Sequence, residues 1–147
     1  MDKKMTKKEY MEWSQKEAPK TKKGRNMLMA FLVGGTICTI GQIINNLLLD
    51  AGMIKEDSSA VTTLIMIFLG AFLTGLNVYD NIGKLGGAGA AIPVTGFANS
   101  IVSPAMEYKK EGYVMGVGAK MFLIAGPVLV YGVVASVICG IFYYLFK

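Results

Sequence analysis

The sequence predicts an all-α integral membrane protein, with three full transmembrane helices and a fourth membrane segment broken by glycine and proline. Three observations carry this. No charge falls within residues 27–49, 61–79 or 121–146, runs of 23, 19 and 26 residues. At about 1.5 Å of rise per residue, each can cross a hydrocarbon core roughly 30 Å thick. Residues 85–106 are also uncharged, but they are rich in Gly and Ala and interrupted by Pro93 and Pro104. Finally, the charge is gathered at one end. Residues 1–26 hold nine Lys/Arg and four Asp/Glu, whereas the rest of the chain holds six of each, so the net +5 belongs to the tail. The chain therefore divides into a basic tail, residues 1–26, and a membrane domain, residues 27–147.

A basic flank beside a first span is the positive-inside signal and predicts a cytoplasmic N-terminus. The tail is far too long for the charged region of a secretory signal peptide. Its position against a span also weighs against nucleic-acid binding. Thr6 and Glu9 have the spacing of a capping box, and Tyr10, Met11 and Trp13 follow before Pro19. The tail is either a short helix lying on the headgroups with Trp13 as anchor, or a solvated segment.

The first span, 27–49, exits to a short loop in which Asp50, Glu56 and Asp57 outnumber Lys55. The second, 61–79, returns, and puts Asp80 and Lys84 on the cytoplasmic side. Two courses are then open to residues 85–106. A full crossing would put Lys109 and Lys110 outside. A re-entrant hairpin keeps them inside with Lys120, leaving only Lys147 to join Lys55 outside, and this agrees better with the charge rule. Ser103, Pro104 and Gly112 further predict a short surface helix with Ser103 as its N-cap, Pro104 at its first position and Gly112 as its terminator.

Broken backbone at membrane depth is tolerated only where protein or a water-filled cavity covers it. The hairpin is thus the candidate path, with Gly87 and Gly89 at its entry, Pro93 at the break, and Gly96, Asn99, Ser100 and Ser103 along the return. Thr95 is the expected cap of the second half-helix. Half-helix N-termini favour anions. Gly and Ala equally permit close helix packing. Lys84 and Lys120 could attract an anion at the inner mouth, although snorkelling to headgroups explains Lys120 as well. In the spans, Gly34, Cys38, Gly41 and Asn45 form one stripe, Gly70, Thr74 and Asn77 a second, and Gly132, Ser136 and Gly140 a third. All are first read as packing faces. The amides of Gln42, Asn45, Asn46 and Asn77 must either pair or line a wet path, because unpaired amides are costly in hydrocarbon.

Other chemistry is poorly supplied. Without His or a CxxC pair a zinc site is excluded, and Cys38 and Cys139 read as small packing residues. The apolar spans hold no His, Asp, Glu, Lys or Arg to act as acid, base or coupling-ion ligand. Neither an enzyme nor an ion-coupled transporter is expected, and no cofactor. Gly87–Ala91 has glycine spacing but lacks the βαβ context of a dinucleotide site.

The run GGAGAAIPVTGFANSIVSPAMEYKKEGYVMGVGAKMFLIAGPVLVYG, residues 86–132, resembles the signature region of the SpoVA membrane proteins of endospore-forming bacteria, as does FLVGGTICTIGQ, residues 31–42. The basic extension is similar to that of the family's longer members, while the shorter AE-type paralogue lacks such a tail. The resemblance implies a subunit of a complex in the inner membrane of the forespore and spore. That complex moves dipicolinic acid with calcium during sporulation and releases it at germination, and some of its subunits are associated with tension-sensitive channel behaviour. The implied partners are AD-type and AE-type SpoVA subunits, membrane lipid, and dipicolinate or its calcium chelate. Several copies or subunits would line the pore, and a non-conducting scaffold is the alternative role.

Overall fold

The computed structural model describes residues 6–17 and 22–146; Pro19 and Lys147 lie outside them. The described chain is helical: α1 (Lys7–Glu17), α2 (Lys23–Asp50), α3 (Lys55–Gly75), α4 (Tyr79–Gly86), α5 (Ala88–Ala91), α6 (Val94–Glu107) and α7 (Ala119–Phe146). A 3-10 turn (Tyr108–Glu111) and a π-helical turn (Tyr113–Gly118) lead into α7. Three stretches, Lys23–Asp50, Lys55–Gly75 and Tyr113–Phe146, are long and apolar enough to cross a membrane.

The capping box at α1 forms as its spacing predicts. The Thr6 backbone N–H and hydroxyl both donate to Glu9 Oε2, at 2.8 and 2.9 Å, and the Glu9 N–H donates back to Thr6 Oγ1 at 3.4 Å. These bonds, the backbone one foremost, hold the Glu9 carboxyl below its ordinary range.

α2, α3 and α7 all outrun the uncharged windows at their N-terminal ends. α3 starts at Lys55 because Glu56 and Asp57 suit a first turn, where unpaired N–H groups attract negative charge. It stops at Gly75 rather than at residue 79, and the reason is local. The Val78 N–H donates to Leu73 O at 3.0 Å and the Asn77 N–H to Thr74 O at 2.9 Å, with Asn77 left-handed at φ 58°. This is a Schellman ending. α2 ends in the same way, with Gly52 at φ 91° and the Met53 N–H donating to Leu48 O.

α2 and α3 form an antiparallel pair. Asn45 Nδ2 donates to Thr62 Oγ1 at 3.3 Å, the buried Ser58 hydroxyl donates to Asn45 O at 3.1 Å, and Gly41 faces Met66. Gln42 donates to Asn46 along the helix at 2.8 Å. These amides pair, as one of the two expectations has it.

The segment after α3 turns back on itself. Gly70 abuts Thr95 and the Thr74 hydroxyl reaches Asn99, so α6 advances in step with α3 and leaves at the end where α3 finishes. Its tip packs on Ala30 and Gly34 of α2. Gly34 is seven residues past Met27, about 10 Å into the apolar stretch. The hairpin is shallow. Lys120 Nζ lies 4.6 Å from the Tyr108 ring centroid, which holds the start of α7 at that same end.

Two expectations are corrected. Ser103 and Pro104 do not open a new helix, since α6 runs through both to Glu107 and the chain breaks only at Gly112, φ 95°. Proline inside a helix removes one hydrogen bond, here the donor for the Ser100 carbonyl, and the flanking turns keep the helix together. Cys38 and Cys139 are exposed and unpaired, so neither packs within the protomer. Gly132, Ser136 and Gly140 are exposed as well, with nothing near a Cβ at either glycine.

The turn-back fixes sidedness in a testable way. With Cys38→Ala and Cys139→Ala as background, Lys110→Cys and Lys55→Cys should react with an impermeant thiol reagent from opposite faces of the membrane. Reaction of both from one face would establish a full crossing instead.

Candidate functional site

Turning a chain around inside an apolar layer requires backbone that bends sharply and packs closely. Gly87, at φ 50° and ψ −122°, supplies the bend, in a region that residues with a Cβ avoid. Pro93, extended at φ −60° and ψ 161°, starts α6. Close approach is provided by other glycines. A Cβ on Gly89 would run into the Ala30 carbonyl, one on Gly96 into the Ala90 and Ala91 carbonyls, and one on Gly70 would stand 2.7 Å from Thr95 O. For Gly89 and Gly96 the packing role is therefore the one seen.

The tip is pinned from within. Tyr79, 3% exposed, donates from its hydroxyl to the Ala90 carbonyl at 2.8 Å and shares a 2.7 Å hydrogen bond with the Thr95 hydroxyl. A carbonyl only accepts, so the Thr95 proton completes the second bond. Thr95 is thus not the helix cap expected of it; Pro93 occupies that position with no side-chain cap bond. The charge pattern gave no sign of the Tyr79 role, because it read this residue as the last of the second span. Its signal was positional: a tyrosine eight residues before the Gly87 bend, at the first position of α4.

Between the hairpin and α7 lies a cavity of about 900 Å³. Gly87, Gly96, Asn99, Ser100 and Ser103 all line it, with Ile124 and Val128 of α7 opposite. Five of the residues expected on the path thus come together. None of the lining residues is acidic or basic. The polar groups are held in place: the Thr74 hydroxyl lies 2.7 Å from Gly70 O and 2.9 Å from Asn99 Oδ1, and the Ser100 hydroxyl donates to Phe97 O at 2.8 Å. The one Thr74 hydroxyl proton is shared between Gly70 O and the Asn99 amide, and Asn99 also lines the cavity. The volume falls in the range of small-molecule sites, roughly 300–1,000 Å³.

The remaining expected residues lie elsewhere. Asn45 joins α2 to α3. Asn77 lines a smaller cavity of about 240 Å³ with Thr74, Asp80, Ser103 and Glu107. Lys84 lines a separate groove with Lys23, and Lys120 sits over Tyr108. The two lysines do not form a common mouth to the large cavity.

Three apolar spans, with a hairpin that lines an uncharged cavity against α7, define a multi-pass helical membrane protein. Residues 26–142 match the SpoVAC/SpoVAEB sporulation membrane protein family, and the chain belongs to it. It is 48% identical over 123 residues, 83% of this chain and 82% of the relative, to stage V sporulation protein AC of Bacillus subtilis (strain 168). No solved structure matches.

Tyr79 offers a direct test of the tip. Tyr79→Phe should destabilise the detergent-solubilised protein by about 1–3 kcal/mol, the cost of leaving buried partners unpaired, while Thr95→Ser should stay near wild type in the same thermal melt. An unchanged melt for Tyr79→Phe would show that the tip does not depend on these bonds.

Proposed function

We propose that this chain is a subunit of a channel complex in the inner membrane of the forespore and spore. The complex moves dipicolinate, with calcium, during sporulation and germination, and the cavity between hairpin and α7 is this subunit's part of the path. The observation that carries the reading is the cavity itself: amide and hydroxyl groups at membrane depth, no lining charge, and a size suited to a small planar dicarboxylate. Neutral donors can pass an anion without the desolvation penalty and tight pairing that a buried cation would bring. The N-terminus is cytoplasmic in this reading. AD-type and AE-type SpoVA subunits are its partners.

The hairpin reaches only about 10 Å inward, so other copies or subunits complete the route. Residues 127–146 of α7 are exposed on every side, which leaves that helix free to be covered by them or by lipid. Membrane tension drawing α7 away from α6 would widen the cavity. This gives a tension response a physical basis.

A second reading has an observation of its own. The glycine contacts of Gly89 and Gly96 are those of a packing wedge, which suits a scaffold subunit that holds a paralogue's pore, or an AE-type role in the same complex. Asn99→Leu separates the readings. It keeps the bulk of the side chain and leaves Thr74 bonded to Gly70 O, so the protein should remain in the membrane and co-purify with its partners. Spore dipicolinate content should then fall several-fold. Full accumulation with intact complexes would remove the cavity from the path. Gly96→Leu is no test of conduction, because its Cβ collides with the tip backbone and should cost protein abundance first.

A further inference from the structure

Outside the cavity, the groove beside α4 has lining groups in an order of their own. About 550 Å³ in volume, it lies between the start of α2 and the hairpin entry. Lys23 and Asn26 come from α2 and Lys84 from α4, so two lysines and an asparagine from two helices line one space. Met27, Leu85 and Ala88 line the same groove. Among the described residues neither lysine has a carboxylate partner. Asp80, one turn before Lys84, lines the smaller cavity with Asn77 and Glu107 instead.

Depth adds to this. Lys23 precedes Met27, the first apolar residue of the span, by one helical turn, about 6 Å, which is headgroup level for a helix whose apolar stretch sits in the core. The groove therefore offers cations where a membrane presents phosphate and apolar side chains where it presents acyl chain.

We propose that this groove binds an anionic glycerophospholipid, with Lys23 and Lys84 on the phosphate and Met27 and Leu85 along the first part of the acyl chain. The bound lipid bridges α2 and the hairpin. A free anion would use the lysines and leave the apolar floor uncovered, which is why the lipid is the occupant the groove fits.

The test uses the full-length protein in nanodiscs or detergent micelles titrated with phosphatidylglycerol or with phosphatidylcholine of the same acyl chains, read by native mass spectrometry and thermal stability. Wild type should bind and be stabilised by phosphatidylglycerol in preference to phosphatidylcholine. A juxtamembrane lysine contributes roughly fivefold in affinity, so Lys23→Gln with Lys84→Gln should weaken binding about 25-fold. Each single variant should weaken it about fivefold, which keeps the test open if the double variant folds poorly. Lys109→Gln with Lys110→Gln, the same charge change away from the groove, should retain the preference. Equal loss in that control would mean diffuse attraction, and equal stabilisation by inorganic phosphate would mean a free-anion site; either result overturns the proposal.

Discussion

A chain that reverses direction in an apolar layer must satisfy every backbone polar group it exposes there, and the reversal at residues 87–93 is the constraint on which the architecture depends. Protein covers what water cannot. The N–H groups of Ala90 and Ala91 donate to Gly87 O and that of Ile92 to Ala88 O, while the Gly96 and Phe97 N–H groups close on Pro93 O. The Ala90 carbonyl receives the Tyr79 hydroxyl. The backbone bonds are local to the turn, the Tyr79 bond ties it to the start of α4, and glycine at 70, 89 and 96 lets α5 and α6 lie close against their neighbours.

The two faces of α6 follow from this arrangement. Thr95 and Ala98 are buried, with Thr95 against Gly70 of α3, while Phe97, Ser100 and Ser103 turn to the cavity. Asn99 stands at the border, tied to α3 through Thr74 and open to the cavity. Ser103, one turn on, lines this cavity and the smaller one beside Asn77.

The spans, the capping box and the turn-back were legible in the sequence, because each rests on charge spacing or a local side-chain bond. The grouping of polar residues was half legible. Polarity singled out Asn99, Ser100 and Ser103, which line one cavity, yet the same logic selected Asn45, whose amide is spent on Thr62. Pairing between helices depends on register, which one helix's composition does not encode. Ser103 and Pro104 form a good start signal, but a helix already under way with a face packed on α3 absorbs the proline. The glycines could be singled out and their use could not, since Gly87 bends the chain while Gly89 and Gly96 admit carbonyls.

What the hairpin leaves open is as consequential as what it closes. α7 packs mainly on α6 and the turn before it, so the protomer is held together at the end where the hairpin enters. Beyond Gly126 every described residue of α7 is exposed, the small-residue face of Gly132, Ser136 and Gly140 included. A lone helix of this hydropathy is stable in lipid, and its backbone bonds are internal. Small residues there nonetheless allow a close neighbour that larger ones would bar. The cavity wall, Ile124 and Val128, and the bare face lie on the same helix, with Pro127 set between Ile124 and that face. Lining the cavity and meeting a neighbour therefore fall to different stretches of one helix.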